Sequence, residues 1–401
     1  MSTDADILII GGGPAGSACA IAAKRAGVER VELIDAGSPK LCGGLLNDEA
    51  QLALAELMRF DREDAARESL HVLSQAGVTR DPHWPDLLVE DWDNRSAFRT
   101  QPRYLNIDRD AFDAWLMDHA ERFGAVIARN TRATSIERDD GAWRITLSAK
   151  SQQEGDASKR EISAKILVIA TGFHGLARLV PGYQPASVES YLALQRCVIV
   201  DSKRELPMLA AFSNKHCDYF GWIIPKQMRG ESSIEAHVGC AVPPFARADG
   251  EAFIDEMCKR FGIASAAANC QMRGCPIAVP GSVQSTRIDA LPGAFAIGEA
   301  AGLVSPASGD GISFALASGR IAGEVLARRV LAGKAHASLA SYQSMLREME
   351  RAFRPLRKRV AKQIFKANVM ASPRLRKLGT LAISNKLGRI VAAKLGVSGM
   401  K

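Results

Sequence analysis

The pattern of apolar and polar positions predicts that the chain begins with a strand, a helix and a second strand. Apolar runs at residues 7–10 and 31–34 are typical of strands, and the alanine-rich stretch 17–26 between them is typical of a helix. Glycines separate the first run from the helix, as expected for a tight turn. This order indicates an α/β unit at the start of the chain.

Beyond this unit, the pattern predicts a mixture of helices and strands and then a helical end. Helices are expected over residues 40–70, after an N-cap at Asp108, and from about residue 340 onward. Short apolar and aromatic runs between turn residues at 188–280 predict a mainly antiparallel sheet, whereas the polar stretch 151–159 predicts a hairpin loop. Further strands are expected at 85–106, 143–147 and 162–169.

The turn after the first strand carries the glycine spacing of a dinucleotide site. Gly11 would allow the turn, Gly13 would let a pyrophosphate approach the backbone, and Gly16 would let the helix pack closely on the strand. Asp35, at the end of the second strand, is placed to bind a ribose hydroxyl. The alternative is a glycine-rich turn of an ordinary α/β protein. The predicted adenine-dinucleotide site comprises Gly11, Gly13, Pro14, Ala15, Gly16 and Asp35.

A second glycine-rich segment indicates which dinucleotide is bound. An apolar run at 294–297 leads into Gly298 and Glu299, and a long alanine- and glycine-rich helix is expected over 313–330. An acid at a strand end, followed by a helix N-terminus, suits a flavin cofactor. The segment resembles the second FAD fingerprint of hydroxylase-type flavoproteins, with Glu299 in place of the usual aspartate. It predicts FAD, bound in part by Gly298, Glu299, Gly309, Gly311 and Ile312.

Composition limits the class of protein. With 401 residues, 47% of them hydrophobic, the chain can bury a sizeable core. Eight cysteines without C-x-x-C pairs or zinc-type spacing predict reduced thiols and no metal site. No signal sequence and no run long enough to span a bilayer is apparent, so a cytoplasmic protein is expected, or one that is peripheral on the inner face of the membrane.

Positive charge is concentrated at the end of the chain. Residues 351–401 hold fourteen Lys or Arg and no acid, which leaves 38 basic and 44 acidic groups in residues 1–350. Apolar residues recur among these bases at helical spacing. Such a helix suits an anionic membrane surface, where each base contributes about 1 kcal/mol. The alternative is a helix packed on the body with a solvated basic face. Nucleic acid is not expected, because aromatic residues are scarce there.

Further motifs carry a resemblance to one family. They are Lys40-Leu41-Cys42-Gly43-Gly44-Leu45, the helix start with Arg109, Phe112, Asp113 and Leu116, Gly221-Trp222-Ile223-Ile224-Pro225-Lys226, and Pro306 followed by Gly309-Asp310-Gly311-Ile312. In these motifs the chain resembles, over essentially its whole length, the geranylgeranyl reductase family of FAD-dependent oxidoreductases. Bacterial members of the colicin-resistance type are the most similar branch. Ile224 stands where the family has an aromatic residue.

The resemblance and the pattern together predict an α/β fold, with a Rossmann-like FAD-binding domain of the hydroxylase and geranylgeranyl reductase type and an α+β substrate domain built on an antiparallel sheet. The expected limits are 1–74, 101–178 and 279–330 for the FAD-binding domain, 75–100 and 179–278 for the β-rich substrate domain, and 331–401 for the basic helical C-terminal region.

The resemblance also implies site residues. Cys42 is the candidate catalytic residue, because the family's C-G-G turn lies near the flavin; the thiol would gate the site or deliver a proton, and the alternative is a small residue required by tight packing. Tyr219, Phe220 and Trp222 are candidate walls of a substrate tunnel or, alternatively, plain sheet core. Further FAD contacts are implied for Cys42, Gly43, Gly44, Leu45, Arg109, Thr171 and Gly172.

The implied activity is reduction of carbon–carbon double bonds in a polyprenyl lipid by hydride transfer from reduced FAD. Hydroxylase-type relatives carry an Asp-Gly pair where this chain has Thr171-Gly172, so the electron donor is expected to be NAD(P)H or else a ferredoxin or flavodoxin. His174, in the same turn, is a weaker candidate proton donor or an ordinary turn residue.

Two other functions stay open. One is an FAD-dependent monooxygenase that hydroxylates an apolar or aromatic substrate. Halogenation is disfavoured, because no lysine lies between Lys40 and Lys150 to carry an activated halogen. The other is a non-enzymatic, membrane-docking redox flavoprotein, whose basic end would bind a membrane or partner.

Overall fold

Two large sheets and eight helices make up the described part of the chain. The computed structural model describes residues 3–60, 63–79, 87–139, 141–149, 159–173, 179, 186–201, 206–226, 233–263, 271–291, 293–334 and 339–384. Most of the predicted hairpin loop at 151–159 therefore lies outside the described residues.

The helices are α1 (Pro14–Arg25), α2 (Asp48–Met58), α3 (Ala65–Gln75), α4 (Arg109–Arg122), α5 (Arg247–Arg260), α6 (Ile312–Leu331), α7 (Leu339–Ala371) and α8 (Pro373–Ser384). The strands are β1 (Ala5–Ile10), β2 (Val31–Ile34), β3 (Leu45–Leu46), β4 (Leu87–Asp91), β5 (Ser96–Thr100), β6 (Leu105–Asn106), β7 (Val126–Ala128), β8 (Thr131–Asp139), β9 (Ala142–Ala149), β10 (Lys159–Ile169), β11 (Glu189–Asp201), β12 (Met208–Phe212), β13 (Gly221–Lys226), β14 (Ser233–Val242), β15 (Arg273–Val279), β16 (Asp289–Leu291) and β17 (Ala294–Ala296).

The first sheet has a parallel centre in the order β17-β10-β1-β2-β7. β1 is buried along its whole length, which explains why its sequence is a continuous apolar run rather than an alternating one. β16 extends the sheet at one edge, and the β8–β9 hairpin pairs with β10. The predicted α/β unit is therefore present as β1-α1-β2.

The second sheet is mainly antiparallel, in the order β15-β11-β14-β13-β12-β4-β5. β4 and β5 come from far earlier in the chain and join it through a parallel pairing with β12. Helix α5 covers one face, where Val198 and Val238 are fully buried beside Phe253. The fold class predicted from the sequence is confirmed, whereas the exact domain limits stay a prediction.

Close contact between α1 and α6 holds together the half of the molecule that is built on the first sheet. This half is predicted from the sequence to bind FAD, and we call it the FAD-binding half. A Cβ added at Gly319 would lie 2.1 Å from the Ala15 carbonyl oxygen, and one at Gly323 would lie 2.5 Å from the Cys19 carbonyl oxygen. Only glycine allows the two backbones to approach so closely. This packing brings the start of α1 and the start of α6 to the same side of the first sheet.

The C-terminal helices pack on the body rather than extending from it. Arg376 of α8 is buried and pairs with Asp91 at 2.7 Å, and its guanidinium also contacts Asp93 and the Asn214 side chain. Arg359 of α7 donates to Ser313 at 2.8 Å. Some of the bases that the sequence suggested for a solvated face are therefore structural. Within the described residues, no helix is both long enough and apolar enough to cross a membrane.

We expect Gly319→Ala to lower the melting temperature measured by circular dichroism. Overpacking against a backbone carbonyl costs about 1–3 kcal/mol, which outweighs the ~1 kcal/mol by which alanine favours a helix over glycine. Gly281→Ala is the matched control, since a Cβ there meets nothing within 4 Å. Equal melting temperatures for the two variants would contradict this account of the packing.

Candidate functional site

The first glycine turn is shaped by backbone contacts that exclude side chains. Gly11 has a φ of +114°, and an added Cβ would lie 2.4 Å from the Ala170 carbonyl oxygen. At Gly16 an added Cβ would lie 1.9 Å from the Gly11 carbonyl oxygen. At Gly13, by contrast, the nearest atoms are side-chain atoms of Arg109 and Asp113, at 3.7 and 3.9 Å. The turn is thus closed around Gly11 and Gly16 and open at Gly13, where α1 begins with Pro14.

Asp35 is held by the backbone on both sides of its carboxylate. Gly12 N donates to Oδ1 at 3.1 Å, and Gly37 N donates to Oδ2 at 2.9 Å. The carboxylate therefore has a fixed orientation beside the glycine turn, and its role as a ribose ligand stays a prediction. Just after the end of β10, which lies on the other side of β1 from β2, the Thr171 hydroxyl is buried and has no hydrogen-bond partner among the described residues.

Arg109 joins the glycine turn to the Cys42 loop. It begins α4, whose N-cap Asp108 accepts from Ala111 N at 3.0 Å. The guanidinium makes a two-pronged ion pair with Asp113, at 2.8 and 3.0 Å, and lies near enough to Cys42 to interact with it electrostatically. The Cys42 sulfur accepts a hydrogen bond from Gly44 N at 3.4 Å. Burial opposes the charged form, but the facing carboxylate raises the pKa of Arg109 above its ordinary value. The guanidinium is therefore a fixed positive charge at this site.

The Cys42-Gly43-Gly44 turn is clamped by Lys226, at the end of β13. The Lys226 side chain is only 3% exposed, and its ammonium donates to the carbonyls of Gly43 and Gly44 and to Asn106 Oδ1 at 2.6 Å. A Cβ at Gly44 would lie 2.3 Å from the Ile107 carbonyl oxygen. The second sheet thereby fixes a turn that belongs to the FAD-binding half.

Glu299 reaches back from the second glycine segment towards β15. Its Oε1 accepts from Ala278 N at 3.0 Å, and its Oε2 lies 3.6 Å from Lys40 Nζ. Gly298 adopts a φ of +61° in the turn that positions this acid. The carboxylate is only partly exposed and faces the same cavity as the first glycine turn.

The turn before α6 is fixed by Asp310. Its carboxylate accepts from Asn47 Nδ2 at 2.8 Å and from Ser313 N at 3.1 Å. Gly309 has a φ of +65°, and the Tyr219 hydroxyl would lie 3.7 Å from a Cβ there. Gly309, Gly311 and Ile312 therefore line the boundary between the FAD-binding half and the second sheet.

A single continuous cavity of about 2450 Å³ connects these elements. This exceeds the 300–1,000 Å³ or so of a pocket for one drug-sized ligand, which leaves room for a dinucleotide together with a substrate. All predicted cofactor residues except Gly16 and Gly298 line it, as do Tyr219, Phe220 and Trp222. The open backbone at Gly13, the oriented Asp35 and the orphaned Thr171 hydroxyl fit a bound FAD.

The aromatic residues of the second sheet form a connected wall of this cavity. The rings of Tyr219 and Phe220 stack with their centroids 4.7 Å apart, and the Phe220 and Trp222 ring centroids are 5.9 Å apart in an edge-to-face arrangement. Trp222 Nε1 donates to Gln195 at 3.3 Å. These rings lie on the cavity side, opposite the face of the sheet that packs on α5. Their role as walls of a substrate tunnel stays a prediction.

Two residues that stand within the sequence motifs, Asp113 and Lys226, were given no role in the site, although both carried a signal. Asp113 lies four residues after Arg109, the spacing at which oppositely charged side chains meet on a helix. Lys226 alternates with Trp222 and Ile224 along β13, so period two places it on the same face. His174, considered as a proton donor, lies outside the described residues.

Among the described residues, one group has the chemistry of metal ligands. Cys197, Glu235 and His237 place ligand atoms within 4.8 Å of one another on β11 and β14. His237 Nε2 pairs with Glu235 at 2.9 Å, and none of the three lines the cavity. The absence of a metal site stays a prediction.

Comparison with known proteins identifies the family. Residues 5–205, half of the chain, match the pyridine nucleotide-disulphide oxidoreductase family. The chain belongs to this family. The match spans β1 to β11 and includes the glycine turn, Asp35, the Cys42 turn and Arg109. The protein is therefore an FAD-dependent oxidoreductase.

Relatives of similar length extend the comparison. Protein CbrA of Escherichia coli O9:H4 (strain HS) is 29% identical over 385 residues, covering 93% of this chain and 92% of the relative. A geranylgeranyl bacteriochlorophyll reductase-like protein from Thermoplasma acidophilum has a TM-score of 0.68 at 20% identity, covering 93% and 90% of the two chains. The flavin-dependent brominase Bmp2 has a TM-score of 0.63 at 20% identity, covering 99% and 94%. At these identities the two structures show the shared fold alone.

We expect Lys226→Met to lower both the melting temperature and the FAD content of the purified protein. The change leaves the Gly43 carbonyl and the Asn106 side-chain oxygen without their donor, at about 1–3 kcal/mol for each, and releases the turn that holds Cys42. The ratio of flavin to protein absorbance and a thermal melt measure the two effects.

Lys215→Met is the control for this prediction, because Lys215 is exposed on the same domain. If Lys226→Met keeps wild-type flavin content and melting temperature, the clamp does not hold the turn.

Proposed function

We propose that the protein reduces carbon–carbon double bonds of a polyprenyl, geranylgeranyl-type lipid. The observation that carries this proposal is the form of the cavity, which runs from the glycine turns to an apolar end between the second sheet and the C-terminal helices. Apolar residues lining that end include Leu87, Val89, Phe98, Met208, Ala210 and Phe212. An uncharged, flexible hydrocarbon chain matches such a surface.

Bound FAD would supply a hydride to one carbon of the double bond, and the chain must deliver a proton to the other. An unactivated alkene offers no developing oxyanion to stabilise, so positioning in the apolar wall would provide most of the catalysis. The rings of Tyr219, Phe220 and Trp222 are the candidates for this positioning, since they form one continuous surface beside the glycine turn of α6.

Cys42 is the candidate proton donor of this reaction. Cys42 lines the cavity, where the Arg109 guanidinium lies near it and the Lys226 clamp fixes the following glycines. The positive charge of Arg109 would stabilise the thiolate left after proton transfer. The two residues thus form a proton donor and a stabilising charge.

The electron donor is proposed to be NAD(P)H, with a ferredoxin or flavodoxin as the alternative. The name of the family, pyridine nucleotide-disulphide oxidoreductase, supports the nucleotide. We also propose that the chain belongs to the bacterial colicin-resistance-type branch, supported by the near full-length similarity to CbrA.

A second candidate is an FAD-dependent monooxygenase acting on an apolar or aromatic substrate. It is favoured by the fold shared with the brominase Bmp2 and by the aromatic cavity wall. A non-enzymatic, membrane-docking redox flavoprotein accounts less well for a cavity of about 2450 Å³ with an apolar end.

Anaerobic reoxidation separates these functions. The FAD-loaded protein is reduced with dithionite, geranylgeranyl lipid is added, and the oxidised flavin band is followed by absorbance. A reductase restores the band without oxygen, and mass spectrometry shows lipid masses increased by pairs of hydrogen atoms. A band that returns only when oxygen is admitted, with hydroxylated lipid, supports the monooxygenase instead. Return with oxygen and no lipid product supports the redox flavoprotein.

In the same assay, Cys42→Ser is expected to slow reoxidation by lipid about 100-fold or more, the usual contribution of a general acid, while FAD content is unchanged. Cys275→Ser is the control, because Cys275 is another half-buried cysteine that lines the cavity. Reoxidation at the wild-type rate in Cys42→Ser would exclude the thiol as the proton donor.

A further inference from the structure

The C-terminal helices expose apolar side chains at the opening of the cavity. Phe365 of α7 and Leu375 and Leu378 of α8 are 61%, 43% and 62% exposed, yet all three also line the cavity. A side chain that both lines a cavity and is this exposed lies at its rim. We call these three residues the apolar rim.

Three neighbouring residues of α8 depart from the pattern of an ordinary surface helix. A surface helix turns its leucines to the core and its bases to water. Here Arg376 is 9% exposed and turned inward, whereas Leu375 and Leu378 face out. The ion pairs of Arg376 with Asp91 and Asp93 hold the helix in this orientation. The outward leucines are therefore a fixed feature of the fold.

Basic residues of α7 and α8 lie beside the apolar rim. Lys362 and Lys366 line the same end of the cavity, and no acid occurs from residue 351 to the end of the chain. Two acids of α2 line the cavity as well: Glu49, which forms an ion pair with Arg359, and the adjacent Asp48. Among the described side chains of this segment, the exposed bases are Arg351, Arg354, Lys358, Lys362, Arg374 and Lys377.

We propose that the apolar rim and its surrounding bases dock on an anionic bilayer, so that the cavity opens directly into the lipid. Exposed aromatic and leucine side chains enter the acyl boundary, and lysines and arginines bind the phosphate groups around it. This inference extends the proposed function, since a polyprenyl chain would then reach the flavin without crossing water. Membrane binding itself is measured without turnover.

The test is flotation of the full-length, FAD-loaded protein with vesicles. Binding is expected to vesicles of phosphatidylglycerol and phosphatidylethanolamine, to weaken with added salt, and to be at least about tenfold weaker on phosphatidylcholine alone. The double variant Phe365→Ser/Leu378→Ser is expected to bind the anionic vesicles at least about tenfold more weakly than wild type, because the apolar area entering the bilayer is lost.

Two further variants sharpen the test. Phe245→Ser is the matched control, because Phe245 is 91% exposed but lies outside the rim; it should bind like wild type. Lys362→Gln/Lys377→Gln should weaken binding to anionic vesicles about fivefold per lysine and flatten the salt dependence. Flavin content and the melting temperature of each variant show that the fold is intact.

The proposal would be overturned if the wild type did not float with vesicles, or if the double rim variant floated as well as the wild type. It would also be overturned if the wild type formed a dimer that did not bind vesicles and the rim variant was a monomer. Failure of the proposed function is distinguishable. Vesicle binding without lipid reduction leaves the docking surface standing, whereas reduction of detergent-solubilised lipid without vesicle binding leaves the reductase standing.

Discussion

The buried ammonium of Lys226 is the contact on which the site depends. A charge away from water is costly unless hydrogen bonds replace its hydration, and here carbonyls of the Cys42-Gly43-Gly44 turn and the Asn106 side chain do so. Lys226 belongs to the second sheet, and its acceptors belong to the FAD-binding half. The two halves of the molecule are thereby fixed relative to each other at the point where cofactor and substrate would meet.

The remaining site geometry follows from that joint. Once the Cys42 turn is fixed, Cys42 lies near the charge of Arg109, whose own position is set by the ion pair with Asp113. The aromatic wall of β13 then faces the turn before α6. The cavity is consequently bounded by elements from both sheets, and its lining changes from the backbone of the glycine turns at one end to mainly apolar side chains at the other.

The C-terminal helices illustrate how charge alone can mislead. Their bases are compatible with a solvated face, and several are instead structural: Arg359 lies over the Phe314 ring at 4.2 Å, and Arg376 is buried among carboxylates. Anchoring these arginines turns leucines outward at the rim of the cavity. The same segment thus serves both as a wall of the cavity and as the surface that we propose meets the membrane.

The sequence by itself determined the local features: the β1-α1-β2 unit, the glycine turn, the acid after β2 and the cap of α4. These depend on backbone geometry and residue spacing over a few tens of residues at most, so the residue pattern contains them. Only the tertiary structure decided the Lys226 clamp, which joins residues 183 apart, and the Arg376–Asp91 pair, which joins residues 285 apart. Period two could have marked the face of Lys226, but its partners depend on how two sheets pack. No local pattern records that packing, because the contacts form only when distant segments of the chain come together.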